Sequence, residues 1–174
     1  MLIDKTNINR LLREKQYSEP MRQVLNLFGD NCPDVLSLNL LLKSSGRTME
    51  DLREESIDVI LNYIELCLED DVLTQTEMET LVHLKRFLRI KEGDFLKYNK
   101  GKEIENILFL QLTKIFADNK VDNNEAMMKI DLQRLFDLSY DQYLAFEQRA
   151  VEEALSNGAN IEDLDTCYNY KKSK

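Results

Sequence analysis

The sequence predicts an all-helical chain, a helical bundle whose main body is an internal pseudo-twofold duplication of helical hairpin units. Three observations lead there. Five glycines and two prolines in 174 residues leave few of the punctuators that divide a chain into strands and turns. Apolar residues recur at three- and four-residue intervals over long windows. The pattern that begins near Thr48 returns, without a gap, 48 residues further on.

A chain of this length fits one domain with one core. We expect residues 1–174 to form it, with an N-terminal helical appendage at 1–46, a first repeat at 48–95, a second at 96–156, and a C-terminal short helix and tail at 157–174. In the appendage, Ser18-Glu19-Pro20 supplies a capping hydroxyl and an early proline for a helix carrying Val24, Leu25, Leu27 and Phe28, with Gly29 at its end. Pro33-Asp34 opens the next helix. Its residues Val35, Leu36, Leu38, Leu40, Leu41 and Leu42 are apolar nearly all round, so the segment is expected either to be buried or to cover a partner surface. Ser44-Ser45-Gly46 is the clearest internal break.

In the first repeat, Val59, Ile60, Tyr63, Ile64, Cys67 and Leu68 mark a helix with one face on a core, ending at Glu69-Asp70-Asp71. Thr74-Gln75-Thr76-Glu77 then reads as a capping box, in which Thr74 and Glu77 each satisfy an orphan amide of the other. The helix it starts carries Met78, Leu81, Val82, Leu84, Phe87 and Leu88. Shifted by 48, Val59, Ile60, Ile64, Cys67 and Leu68 meet Ile107, Leu108, Leu112, Ile115 and Phe116, and the cap returns as Asp122-Asn123-Asn124-Glu125. Tyr143 to Leu155 continues as a helix that stops at Asn157-Gly158, and a last short helix is expected from Asn160 to about Tyr168.

Composition bounds the function. A net charge of −9 with scattered basic residues repels phosphate backbones and anionic lipid, which excludes nucleic acid as a natural partner and favours cations or protein surfaces. Cys32, Cys67 and Cys167 are widely spaced and odd in number, so neither a disulfide framework nor a structural zinc site is expected. No segment has the length and apolarity of a membrane span, and the start lacks a basic region followed by an apolar run, so membrane insertion is not expected and a reducing, cytoplasmic setting is.

The chemistry candidates lie on the two loops. Glu69, Asp70, Asp71, Glu77 and Glu79 crowd the first; Asp118, Asp122 and Glu125 stand in the second. Oxygen ligands on loops suit a hard cation such as calcium, but neither loop keeps the spacing or the glycine of a standard calcium loop. Helix capping accounts for most of the same residues. His83, the sole histidine, falls inside a helix between Val82 and Leu84, where a partly exposed, non-catalytic role is expected. No nucleophile elbow, phosphate loop or paired-cysteine motif is present, so no catalytic residue and no cofactor is assigned.

A helix ending in an acidic, Asp-containing loop, then an apolar residue, a cap, a Glu and an amphipathic helix, repeated once, resembles the TerB-like (tellurite-resistance) superfamily over roughly residues 48–156. Leu68 to Glu77 and Phe116 to Glu125 carry the likeness; the Asp-Gly usual there is Asp70-Asp71 and Asp118-Asn119 in this chain. The resemblance implies an all-helical module linked to stress or tellurite resistance, without a defined catalytic activity. It also implies acidic residues that hold a divalent cation, at Asp70, Glu77, Asp118 and Glu125. The expected function is a non-enzymatic protein-interaction or scaffold module. A divalent-cation sensor using the two loops is the alternative, and a hydrolase with a carboxylate site the remote one.

Overall fold

Nine helices make up most of the described chain, as the scarcity of glycine and proline predicts. The computed structural model describes residues 5–29, 34–68, 73–116, 120–121, 123–158 and 162–163. The helices are α1 (Lys5–Glu14), α2 (Glu19–Gly29), α3 (Val35–Ser45), α4 (Arg53–Cys67), α5 (Gln75–Phe87), α6 (Asp94–Lys97), α7 (Gly101–Ile115), α8 (Asn123–Leu135) and α9 (Tyr140–Ser156). The chain divides into two units, Met1–Asp94 and Phe95–Lys174.

The first unit is organised around α4. Ile57, Val59, Ile60, Tyr63, Ile64, Leu66 and Cys67 are all buried, so this helix is covered on more than one side. Helices α1 and α5 both pack on it. Burying such a side chain contributes roughly 1.5–3 kcal/mol, which makes α4 the principal source of cohesion here. Helices α1, α2 and α3 share that core. Ile8, Leu11 and Leu12 of α1 are buried, and α2 packs between α1 and α3 through Met21, Val24, Leu25 and Phe28.

The local signals for helix ends hold where the structure describes them. Asp34 caps α3 by accepting from the Ser37 amide at 2.8 Å. Gly46 closes the same helix in the left-handed conformation, φ 63°, which costs a glycine little. Thr74 and Glu77 form the expected reciprocal capping box at the start of α5. After α5, the amide of Arg89 bonds to the Arg86 carbonyl and that of Ile90 to the Lys85 carbonyl, with Arg89 at φ 53°. This is the helix-ending turn in which the last orphan carbonyls are satisfied, here with arginine where glycine is usual.

In the second unit α7 lies along α9. Ile104, Leu108, Leu112 and Ile115 of α7 and Tyr143, Ala150, Val151 and Ala154 of α9 are buried; the two alanines, four apart, share one side of α9 and are small enough to admit a close neighbour. Phe95 and Phe136 meet edge to face with centroids 5.5 Å apart. Helix α9 starts at a capping box of Ser139 and Gln142.

Element boundaries repeat with the register of the apolar pattern. Arg53–Cys67 and Gln75–Phe87, moved by 48, are Gly101–Ile115 and Asn123–Leu135, the limits of α7 and α8. The turn after α8 has the bonds of the turn after α5, Asp137 to Arg134 and Leu138 to Gln133, with Asp137 at φ 55°.

Two expectations change. The segment from Asn160 was expected to be a short helix. Its described part, Glu162–Asp163 (β2), instead pairs in parallel with Lys120–Val121 (β1). A chain rich in aspartate has little helix propensity to lose, and the pairing satisfies backbone groups of the segment before α8. The apolar run from Val35 to Leu42 is split rather than wholly buried: Leu38 and Leu42 enter the core, while Val35, Leu36 and Leu40 are 64%, 69% and 60% exposed.

Candidate functional site

Asp70 and Asp118 lie outside the described residues. Glu77 is buried at the start of α5 and its carboxylate is engaged on both oxygens. Oε2 accepts from the Thr74 amide and hydroxyl, each at 2.8 Å, and Oε1 accepts from Asn7 Nδ2 of α1 at 3.2 Å. One side chain thus caps α5 and ties α1 to it. Glu125 stands half-buried in the first turn of α8, where a negative charge interacts well with the helix dipole. Among the described residues no three His, Cys, Asp or Glu side chains come together closely enough to share an ion.

The described surface offers a different feature, a groove of about 280 Å³ in the first unit. Phe28 of α2 and Phe87 of α5 form its floor, their rings tilted with centroids 5.3 Å apart. Val35 and Leu38 of α3 make one wall. His83 and Arg86 from α5, and Arg89 from the turn that follows, make the other. The spacing 83, 86 aligns the first two on one face of α5, and the left-handed turn brings Arg89 round beside them. Arg89 donates through Nη2 to Asn39 Oδ1 at 2.6 Å, bracing the turn against α3. Val35 is exposed at the groove, whereas the exposed Leu36 and Leu40 lie on the side of α3 nearly opposite Leu38.

Charged groups also occur inside both units. In the first, Arg53 Nε lies 3.3 Å from Asp94 Oδ2, with both side chains buried. Its Nη1 donates to the Leu88 and Arg89 carbonyls, and Asp94 accepts from the Lys91 amide at 2.8 Å. The pair therefore holds the end of α5 and the turn after it against the start of α4, which sets the position of the groove's cationic wall. In the second unit Lys129 Nζ of α8 lies 2.6 Å from Glu147 Oε1 of α9, with side chains 3% and 4% exposed, and 5.4 Å from the Phe116 ring centre. Oε1 accepts no well-directed hydrogen bond, so the contact is chiefly ionic.

The sequence carries a signal for one of these pairs. The 48-residue register places Lys129 opposite Leu81, a core position, and a lysine on a core position demands a buried partner. His83 is half-buried and in contact with the groove. Cys67 is a buried thiol that accepts from Asn7 Nδ2 at 3.4 Å.

No model of a known protein family matches the chain, and no curated protein or solved structure is significantly similar to it. Among the described residues no helix is long and apolar enough to cross a membrane.

Proposed function

We propose that the protein is a non-enzymatic interaction module, of TerB-like type and built by internal duplication, that engages a protein partner through α3 and the groove beside it. The observation that carries this reading is the exposed row of Val35, Leu36 and Leu40. Three large apolar side chains exposed on one short helix, one of which, Val35, also lines an aromatic-floored groove, form the kind of patch that marks an interaction surface. The recurrence of helix limits and end-turns at an offset of 48 residues supports the duplication, and the resemblance implies stress or tellurite resistance as the biological setting. Glu77, engaged in capping and by Asn7, favours a structural role for that residue over ion binding.

The test is affinity capture from the source cell with the native chain and with Leu36→Ser/Leu40→Ser. Partners that bind through α3 are lost from the variant while its melting temperature stays unchanged. Recovery of the same partners in the same amounts by both proteins would remove α3 from the interaction surface.

A further inference from the structure

The groove differs in charge from the rest of the chain. Acidic residues outnumber basic ones by 32 to 23, yet none of the side chains lining the groove is acidic and two are arginines. Among the described residues the Arg86 side chain has no hydrogen-bond or ion-pair partner, and it is exposed. Arg89 occupies a left-handed helix-end position where glycine costs least, and its guanidinium is held at the groove by Asn39. Apolar floor and cationic rim are therefore complementary to a ligand that is apolar on one side and anionic on its flank.

We propose that the groove binds an acidic amphipathic helix of a partner protein, its apolar side chains seated on Phe28, Val35, Leu38 and Phe87 and its carboxylates on Arg86 and Arg89. This deepens the reading of α3 as an interaction surface and rests on it. An amphipathic helix presents anchors at i, i+3, i+4 and i+7 on one side, which suits a groove whose apolar residues come from α2, α3 and α5. Charge complementarity sets the choice of partner and its rate of arrival, and the apolar contacts hold it. A basic helix with the same apolar face is rejected, because its cations would face Arg86 and Arg89.

The test uses the full chain and two fluorescein-labelled synthetic peptides, each about four helical turns long with the same leucine and phenylalanine anchors. One carries glutamates at the flanking positions, the other lysines. Fluorescence anisotropy is expected to give saturable binding of the glutamate peptide, at least about tenfold tighter than the lysine peptide, weakening as salt rises. Arg86→Glu/Arg89→Glu reverses the preference, and Arg89→Gly, which suits the left-handed turn, lowers affinity for the glutamate peptide without lowering the melting temperature. Equal binding of the two peptides that is lost in Leu36→Ser/Leu40→Ser would overturn the acidic partner while leaving α3 as a docking surface. Binding of neither peptide overturns the proposal as well, and the capture experiment on α3 then decides the broader reading separately. Self-association of the native chain that blocks both peptides and disappears in Arg86→Glu/Arg89→Glu would also overturn it, making a second copy the occupant.

Discussion

Replacing Lys129 with Met leaves the Glu147 carboxylate buried without its cation, and that single change is expected to be among the most costly in the second unit. At 2.6 Å the two charges attract by about 6 kcal/mol at an effective dielectric constant of about 20. Desolvation of each ion costs several kcal/mol, so the intact pair contributes little net stability. Removing one partner cancels the attraction but not the desolvation of the other, for an expected loss of about 3–5 kcal/mol. The two single changes are not equivalent. Glu147→Leu leaves Lys129 over the Phe116 ring, a contact worth about 0.5–2 kcal/mol, so it costs less than Lys129→Met. Lys129→Met/Glu147→Leu restores an apolar α8–α9 contact and lies within about 1 kcal/mol of the native chain, or above it. Urea unfolding followed by circular dichroism measures the four members of the cycle, with hydrogen exchange locating the loss in α8 and α9. Single variants that each cost under about 1 kcal/mol would refute the reasoning, since the pair would then have to be solvated.

Four further outcomes follow from the same geometry. Thr74→Ala removes one half of the capping box and is expected to cost about 1 kcal/mol in urea unfolding, with earlier hydrogen exchange at the first turn of α5. Leu36→Ser and Leu40→Ser each change stability by no more than about 0.5 kcal/mol, whereas Leu38→Ser, on the same helix but buried, costs about 3 kcal/mol or more; equal costs would contradict the division of α3 into two faces. The Tyr17 hydroxyl is pushed up to about 12, chiefly by burial and against the Asn62 hydrogen bond that lowers it. The unfolded chain therefore ionises this tyrosine near its ordinary value of about 10 while the folded chain still holds the proton, and stability falls as pH rises from there toward 12. Tyr17→Phe flattens that alkaline limb, and absorbance near 295 nm follows the ionisation itself. Millimolar calcium or magnesium, tested against EDTA, is expected to leave the melting temperature in place; stabilisation by about 2.7 kcal/mol, the effect of ligand at a hundred times Kd, would show that the acidic segments bind an ion after all.

Much of the secondary structure was legible in the sequence because its determinants are local. The start of α5, the caps at Asp34 and Thr74, and the stop at Gly46 depend on residues a few positions apart, and those residues carry the signal. Cys67 could be placed in the core because a regular apolar stripe has one inward face. The run from Val35 to Leu42 has no such face, and its periodicity was silent on which residues would be covered. Packing of α2 and α5 decided that, sending Leu38 and Leu42 inward and leaving Val35, Leu36 and Leu40 outside.

The candidate site was less legible for the same reason. Carboxylates clustered in sequence drew attention to Glu77, but whether a carboxylate is a ligand or a cap depends on what reaches its oxygens, and Asn7 comes from a helix distant in the chain. Phe28, Val35, Arg86 and Arg89 form a groove only because three separate helices converge. By itself the sequence determined the helical class and the caps at Asp34 and Thr74, since hydrogen bonds and apolar spacing within one helix are sufficient for these. Tertiary structure alone decided which charges are buried as pairs, where the apolar surface of α3 faces, and which cationic side chains border it. Those outcomes depend on contacts between distant segments, whose partners no local pattern names.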